Sequence, residues 1–411
     1  MGRHRLSLPT ALLLVGLAAG VATLLLRPRS GSIEPDAIDK TAYFSAQEIE
    51  RAEAFRGPQR VLGIAGLVIS GGTLALVALR PPRRLRRALQ RSAGRPLVGG
   101  AAVGAGLSLV LSAVALPLDA VSHERAVDVG LSTQDWGFWL TDLAKASAIG
   151  ALFAGGGAAG AVALARRFPR RWWAPGALAI TAVSIAFVFV APLVLDPIFN
   201  RFTPLPPGEL RSSVLTLVKR SGVEVGEVYR MDASRRTTAV NAYVGGLGAS
   251  KRVVLYDTLL DDLEPAEVRS VVAHELAHQR YDDLPRGILW LAIVTVPAAY
   301  LAQRLTERLA PSGAIGSPAM LPALALSVAL VSFAVGSAGN VLSRQVEARA
   351  DAFALELTND PAAFIGLERR LATRNVSDPD PPRALHLLFG THPTTLERIG
   401  YGVAWRGRQG S

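Results

Sequence analysis

The apolar positions of this chain fall into long unbroken blocks rather than short alternating runs. Five blocks, at about 8–26, 61–79, 97–116, 143–165 and 172–195, precede a polar stretch, and two more, at about 287–301 and 320–342, follow it. Crossing the hydrocarbon of a bilayer takes about 20 apolar residues of helix, so each block predicts a membrane span. The first block stands behind Arg3, His4 and Arg5. It is longer than the apolar core of a signal peptide, and no small-x-small site precedes Arg27, so a retained span is expected. Pro117 is expected to end the third span, and Pro297 to kink or shorten the sixth. The fourth holds Lys145, which suggests a wet interior, and Gly156 and Gly160, at the spacing that lets helices approach closely.

The polar stretch reads as mixed α and β. Leu210, Val214, Leu217 and Val218 recur at helical spacing within 209–221. Val228 to Met231 suggests a short strand. Thr237 to Val244 and Arg252 to Tyr256 read as two strands joined by a Gly-rich turn at 245–250. A helix is expected from near Asp262, with Pro265 close to its first position. The run around Pro379–Pro382 reads as a loop. The fold class expected is therefore an α-helical polytopic membrane protein of about seven spans carrying a mixed α/β domain.

Composition agrees with that class. Half of the 411 residues are apolar and the mean hydropathy is +0.30, which suits neither a soluble domain nor disorder. The chain has no Cys, which removes disulfides, thiolate metal sites, a Cys nucleophile and iron–sulfur clusters. A formal charge of +11 suggests nucleic acid at first sight. The excess, however, sits in two short loops: seven Arg and no acid at 80–96, and four Arg and no acid at 166–171. That is the signature of cytoplasmic loops, so the partner expected is the lipid bilayer and no nucleic acid. Segment 27–60 balances six bases with six acids, and segment 118–142 has five acids and one Arg. Both suit the outer side, and alternation then puts the polar region after the fifth span outside as well. The Arg-rich composition points to a high-GC bacterium, and so to a multi-pass protein of the bacterial plasma membrane.

The chemistry lies in His274-Glu275-Leu276-Ala277-His278, an H-E-x-x-H sequence. On a helix the two imidazoles lie on one face, one turn apart, where both can reach one Zn²⁺. Glu275, next to them, can act as general base toward a Zn-activated water. A chance match on a surface helix is countered by Val268, Val271, Val272 and Leu276, which give the helix a buried side. Only six His occur in the chain, and two fall here. Hydrolysis needs a third protein ligand and an open fourth position; with no Cys, the third is His, Asp or Glu. Glu347 and Asp351, four apart in the run Ser343 to Ala354, share a helix face, so that one can bind metal while the other holds a ligand His by its free N–H.

These residues, with Asn241-Ala242-Tyr243, Val254 to Leu260 and Thr391-His392-Pro393, resemble the integral-membrane zinc metalloproteases of the type 1 CAAX prenyl protease and HtpX-like family. Pro197 to Phe202 is similar to the stretch that leaves the fifth span in the prenyl protease branch, and seven spans suit that branch better. The resemblance implies a gluzincin site: His274, His278 and Glu347 as ligands of one Zn²⁺, Glu275 as base and Asp351 behind the ligands. It implies an edge strand, including Asn241, Ala242 and Tyr243, that pairs with extended substrate. It also implies that His392 stabilises the oxyanion or holds substrate, and that Arg398 meets substrate or an active-site carboxylate. The domain division expected is a membrane region at 1–195, a metalloprotease domain at 196–286, two spans within 287–342 and the domain's remaining part at 343–411. The activity implied is a membrane zinc metalloendopeptidase acting on peptides or membrane proteins. A membrane sensor that signals by cleavage and a non-catalytic membrane scaffold are the alternatives. The family resemblance suggests a catalytic face toward the cytosol, whereas the Arg loops point outward.

Overall fold

The computed structural model describes residues 7–246 and 251–409. Arg3, His4 and Arg5, and residues 247–250 of the expected Gly-rich turn, lie outside the described residues. Among the described residues, seven helices are long and apolar enough to cross a membrane. They begin with α1 (Leu8–Leu26), α2 (Ala46–Leu79), a short connecting helix α3 (Arg83–Ser92), α4 (Pro96–Asp128) and α5 (Trp136–Arg167). The fifth span is α6 (Trp173–Val190), continued through a π turn at Ala191–Leu195 into α7 (Asp196–Phe199).

Most of these helices outrun their apolar blocks. The lipid-facing part of a helix is legible as a hydrophobic run, but its extension into the polar domain is not. The start of α2 is set by a capping box: the Glu48 amide donates to Ser45 Oγ at 3.2 Å, and the Ser45 amide donates to Glu48 Oε2 at 2.8 Å. Pro117 does not end its span. Helix α4 continues through it to Asp128, because a proline costs one backbone hydrogen bond and neighbouring helices compensate. The pairing of α4 with α5 depends on glycine, though not on the pair expected. A Cβ on Gly104 would lie 2.4 Å from the Ala154 carbonyl oxygen, and one on Gly155 would lie 3.0 Å from that of Ala101. Gly156 and Gly160 have nothing within 4 Å and face away.

The polar domain opens with β1 (Phe202–Pro204), α8 (Glu209–Ser221), β2 (Glu227–Met231), β3 (Ala242–Gly245) and β4 (Arg252–Tyr256). The sheet order is β1-β2-β4-β3, with β2 and β4 parallel and the outer pairs antiparallel, so β3 is an edge. The expected strand from Thr237 is shorter: Thr237 makes only an isolated bridge to Ser132 before β3 begins. Then come α9 (Asp257–Asp262) and α10 (Pro265–Arg280), whose first turn carries a Glu264–Glu267 capping box. The sixth span, α11 (Asp283–Leu309), is neither short nor broken: Pro297 lies inside a continuous helix. The seventh, α12 (Leu321–Thr358), leaves the apolar block and runs on into the domain. Helices α13 (Pro361–Arg374), α14 (Arg383–Phe389) and α15 (Thr395–Gln409) close the chain.

One core joins the sheet, α8, α10, the end of α12 and α13 through Val214, Val228, Leu255, Leu276, Leu355 and Phe364. Helix α1 packs into the bundle, with Val15 against Leu301 and Val331, and Ala22 against Trp290.

The two ends of the bundle differ. At one end lie the Arg-bearing turns, where Ala165, Trp172, Ala314 and Met320 cluster. At the other, the loop after α1 meets the polar domain, the Asp36 amide donating to the Gly400 carbonyl. The loop after α4 does the same through the Thr133 amide and the Arg236 carbonyl. Lys145 of α5 faces this polar end: Asp142, 3.4 Å from its Nζ, also accepts from Arg236 Nε at 2.8 Å.

Gly104→Leu should therefore lower stability by about 1–3 kcal/mol through overpacking of α4 on α5, whereas Gly106→Leu, facing open space, should be tolerated. Thermal unfolding of the two variants in the same detergent compares them.

Candidate active site

Helix α10 is held by its apolar side, where Val268, Val272, Ala273, Leu276 and Ala277 are buried. Its motif residues meet the last part of α12. The rings of His274 and His278 lie 5.1 Å apart, nearly perpendicular at 81°. Glu347 Oε2 lies 3.1 Å from His274 Nε2 and 3.7 Å from His278 Nε2. The three donor atoms fall within 4.8 Å of one another. Two donors each about 2.0–2.1 Å from a tetrahedral ion lie about 3.4 Å apart, so the spacing fits one divalent cation.

Each imidazole is oriented from behind. His274 Nδ1–H donates to Asp351 Oδ1 at 2.8 Å, and His278 Nδ1–H donates to Asp283 Oδ2 at 3.0 Å. Both Nε2 lone pairs thereby turn to the same place, as metal-binding histidines require. The two supporting acids are themselves held. Arg398 donates from Nε to Asp351 Oδ2 at 2.9 Å and from Nη2 to Oδ1 at 2.6 Å, while its Nη1 lies 2.7 Å from Glu368 Oε2. Asp283 pairs with Arg349, whose guanidinium sits 4.2 Å over the ring of Tyr281. The Arg349 stem is covered by Gly31, at φ +79, where a Cβ would come within 3.3 Å of Arg349 Cγ.

Burial pushes the Glu275 carboxyl above its ordinary range, with His274 and His278 pulling it back. The charge of Glu347 raises it further, and a backbone hydrogen bond from Val244 lowers it. For Arg398, burial opposes the charge, but Asp351 and Glu368 outweigh it and hold the guanidinium firmly protonated. Burial pushes the Glu368 carboxyl up to about 7 against the pull of Arg398.

His392, on the loop between α14 and α15, brings Nε2 to 3.3 Å from Glu347 Oε2 and keeps a 56 % exposed side chain. Arg398 lies in the interior behind Asp351, so its side chain faces carboxylates and not the open side where substrate would lie. Asn241, just before β3, is exposed; on β3, Ala242 is buried and offers only backbone, and the Tyr243 hydroxyl donates to Asp196 Oδ2 at 3.3 Å. Gln279 of α10 donates from Nε2 to the Val244 carbonyl at 3.2 Å, tying this edge strand to the motif helix.

Comparison with known proteins matches this arrangement to a family. Residues 204–401 match the model of peptidase family M48, and residues 38–201 match that of the CAAX prenyl protease N-terminal region, five membrane helices. A Bacillus subtilis protein named uncharacterized metalloprotease YhfN is 32 % identical over 300 residues, 71 % of this chain and 70 % of that one. The chain belongs to peptidase family M48. This M48 metalloprotease is also 26 % identical over 319 residues to CAAX prenyl protease 1 of Saccharomyces cerevisiae, covering 71 % of this chain and 69 % of that one. The crystal structure of S. mikatae Ste24p superposes with a TM-score of 0.70 at 21 % identity, over 96 % of this chain and 97 % of that one, and so shares its fold. The protease is thus a multi-pass membrane metallohydrolase whose family implies a metal ion.

Sequence reasoning missed Asp283, Arg349, Tyr281 and Glu368. Asp283 falls beyond the end of α10, after Asp282 in a left-handed conformation at φ 53, so no helical spacing links it to His278. Arg349 stands two residues from Glu347, and an acid and a base so close read as a solvated helix face. The one usable signal was that acids and bases crowd a helix whose neighbours are apolar.

Asp283→Ala should weaken metal affinity about 10–100-fold, as loss of an orienting carboxylate does at metal-binding histidines. Competition with a graded chelator series reads this directly. A parental affinity would mean that Asp283 does not orient His278.

Proposed function

We propose that this M48 protease is a zinc metalloendopeptidase that hydrolyses peptide bonds of extended polypeptide segments at the membrane. The reading is carried by the cluster of His274, His278 and Glu347 donor atoms within 4.8 Å, with Glu275 near enough to feel the charge of all three. Two imidazoles and one carboxylate are a donor set typical of zinc hydrolases with an open fourth position. When bound, the ion supplies Lewis acidity, lowering the pKa of the attacking water and polarising the scissile carbonyl.

The chain's own residues do the rest. Glu275 takes the proton of the water as it attacks and returns it to the leaving amine. Its raised affinity for protons suits that shuttle. His274 and His278 keep their Nδ1 protons on Asp351 and Asp283, which holds each Nε2 toward the ion. His392 stands on the exposed side of Glu347, where a donor from Nε2 can meet the developing oxyanion. Strand β3 ends the sheet, and its start, with Asn241 just before it and Ala242 and Tyr243 on it, is where an extended substrate would add as a further strand.

The same reading puts the catalytic end outside the cytoplasm of a bacterial cell. Arginine-rich short loops favour the cytoplasmic side. Their support for this orientation is that the 80–96 and 166–171 loops lie at the end of the bundle away from the sheet and α10. Substrates would then be exported peptides or the outer segments of membrane proteins, not prenylated cytosolic ones.

Purified protein should carry about one Zn²⁺ per chain, and His278→Ala should lose it. Glu275→Gln should keep the metal yet cleave at least about 10²-fold more slowly, since it removes the base and leaves the ligands. Normal cleavage by Glu275→Gln would overturn the mechanism. For orientation, the Cys-free background allows single labels at two exposed positions. A membrane-impermeant maleimide on intact cells should reach Lys219→Cys, and should reach Ala93→Cys only after permeabilisation. The reverse pattern would turn the protease toward the cytosol.

A further inference from the structure

At the end of the bundle remote from the metal-binding residues, a cleft of about 830 Å³ opens between the first turn of α4, the last turn of α5 and the loop before α12. Its charged wall is Arg95, Arg166 and Arg167; its apolar wall includes Leu97, Val98 and Ala163. The three arginines are exposed and, among the described residues, none has an ion-pair partner. The cleft is also built rather than incidental. Gly316, at φ +82, lets the loop before α12 lie against the Arg166 stem, where a Cβ would stand 3.2 Å from Arg166 Cγ. Leu97 and Val98 are 49 % and 67 % exposed on a membrane-spanning helix, so the apolar wall runs straight into the lipid-facing surface.

We propose that this cleft binds the phosphodiester headgroup of an anionic phospholipid, with the lipid's acyl chains lying along Leu97 and Val98. These exposed guanidiniums have no carboxylate partner among the described residues, and a phosphodiester would accept from them through paired N–H donors. Basic pockets between spans at the cytoplasmic boundary are where such headgroups collect. A free phosphate would satisfy the arginines but has no use for the apolar wall, and that wall decides for lipid. Neighbouring α3 reinforces the preference. It buries Leu89 and turns Arg84, Arg87 and Arg91 outward, which adds a diffuse positive field without a cleft.

The test uses the full chain in nanodiscs of mixed phosphatidylglycerol and phosphatidylcholine, with retained lipid counted by mass spectrometry after transfer to detergent. The wild type should retain phosphatidylglycerol selectively. Arg95→Gln/Arg166→Gln/Arg167→Gln should lose that selectivity, by roughly fivefold for each arginine removed. The matched triple Arg84→Gln/Arg87→Gln/Arg91→Gln, which removes the same charge from α3, should keep most of it. Equal losses in the two triples would mean diffuse attraction, and displacement by excess inorganic phosphate would mean a free-anion site; either result overturns the proposal, as does a wild type with no selectivity. Should the first triple fail to fold, stabilisation of the wild type by phosphatidylglycerol but not phosphatidylcholine in thermal unfolding, lost in Arg95→Gln alone, carries the same decision.

Discussion

A carboxylate with no exposure at all must be faced by cations, or it takes up a proton and loses its charge. Asp351 is in that position, and its answer is Arg398 on one side and the His274 N–H on the other. The line extends both ways: Glu368 lies behind Arg398, and Glu347 lies in front of His274. A continuous line of hydrogen-bonded polar groups thus runs from the centre of the domain out to Glu347. Breaking one member strands the next in a low-dielectric interior, which costs about 3–5 kcal/mol for a buried pair. That cost keeps His274 at a fixed angle whether or not a cation is bound. On the other flank, Asp283, Arg349 and Tyr281 serve His278 in the same way, nearer the surface.

The membrane spans deliver this arrangement. Asp283 is the first residue of the sixth span, and Glu347 and Asp351 lie on the continuation of the seventh. Helix α10 supplies the imidazoles, but the acids that lie against them arrive on helices that continue from membrane spans. The loop after α1 completes the enclosure: Gly31 covers Arg349, and Asp36 lies so close to α15 that a Cβ on Gly400 would come within 2.4 Å of its carbonyl oxygen. The membrane helices and the polar domain are therefore packed together and not joined by a loose linker.

How far the sequence discloses this follows from the range of each interaction. The seven spans are legible because hydrophobic length is a local property. The H-E-x-x-H pair is legible because helical geometry fixes residues one turn apart. Helix α8 and strand β4 come out at their observed bounds because amphipathic spacing and a β-branched run mark them. The Glu347–Asp351 pair is visible as a helix face, and only its meeting with α10 needs the fold. What stays hidden depends on tertiary contact: the Asp283–His278 bond across a left-handed residue, the strand β1, and the choice of Gly100, Gly104 and Gly155 over Gly156 and Gly160 for close packing. Proline misleads in the opposite direction. Pro117 and Pro297 look like helix ends by soluble-protein rules, yet both lie inside spans, where packing against other helices makes good the missing donor.

Fold alone leaves one property undetermined. The superposition on Ste24p, at 21 % identity, shows a shared fold but not which way the bundle is inserted. Insertion is decided by basic residues in short loops, most of whose side chains are exposed. Here the eleven arginines of the 80–96 and 166–171 loops equal the entire formal net charge of +11, so the rest of the chain is balanced. All of that excess lies at the end remote from the His274, His278 and Glu347 cluster, while at the polar-domain end charged residues pair with one another, as Asp142–Arg236 and Asp351–Arg398 do. Two proteins can thus share a fold while being inserted in opposite directions, because the charges that decide insertion are not the groups that decide the packing.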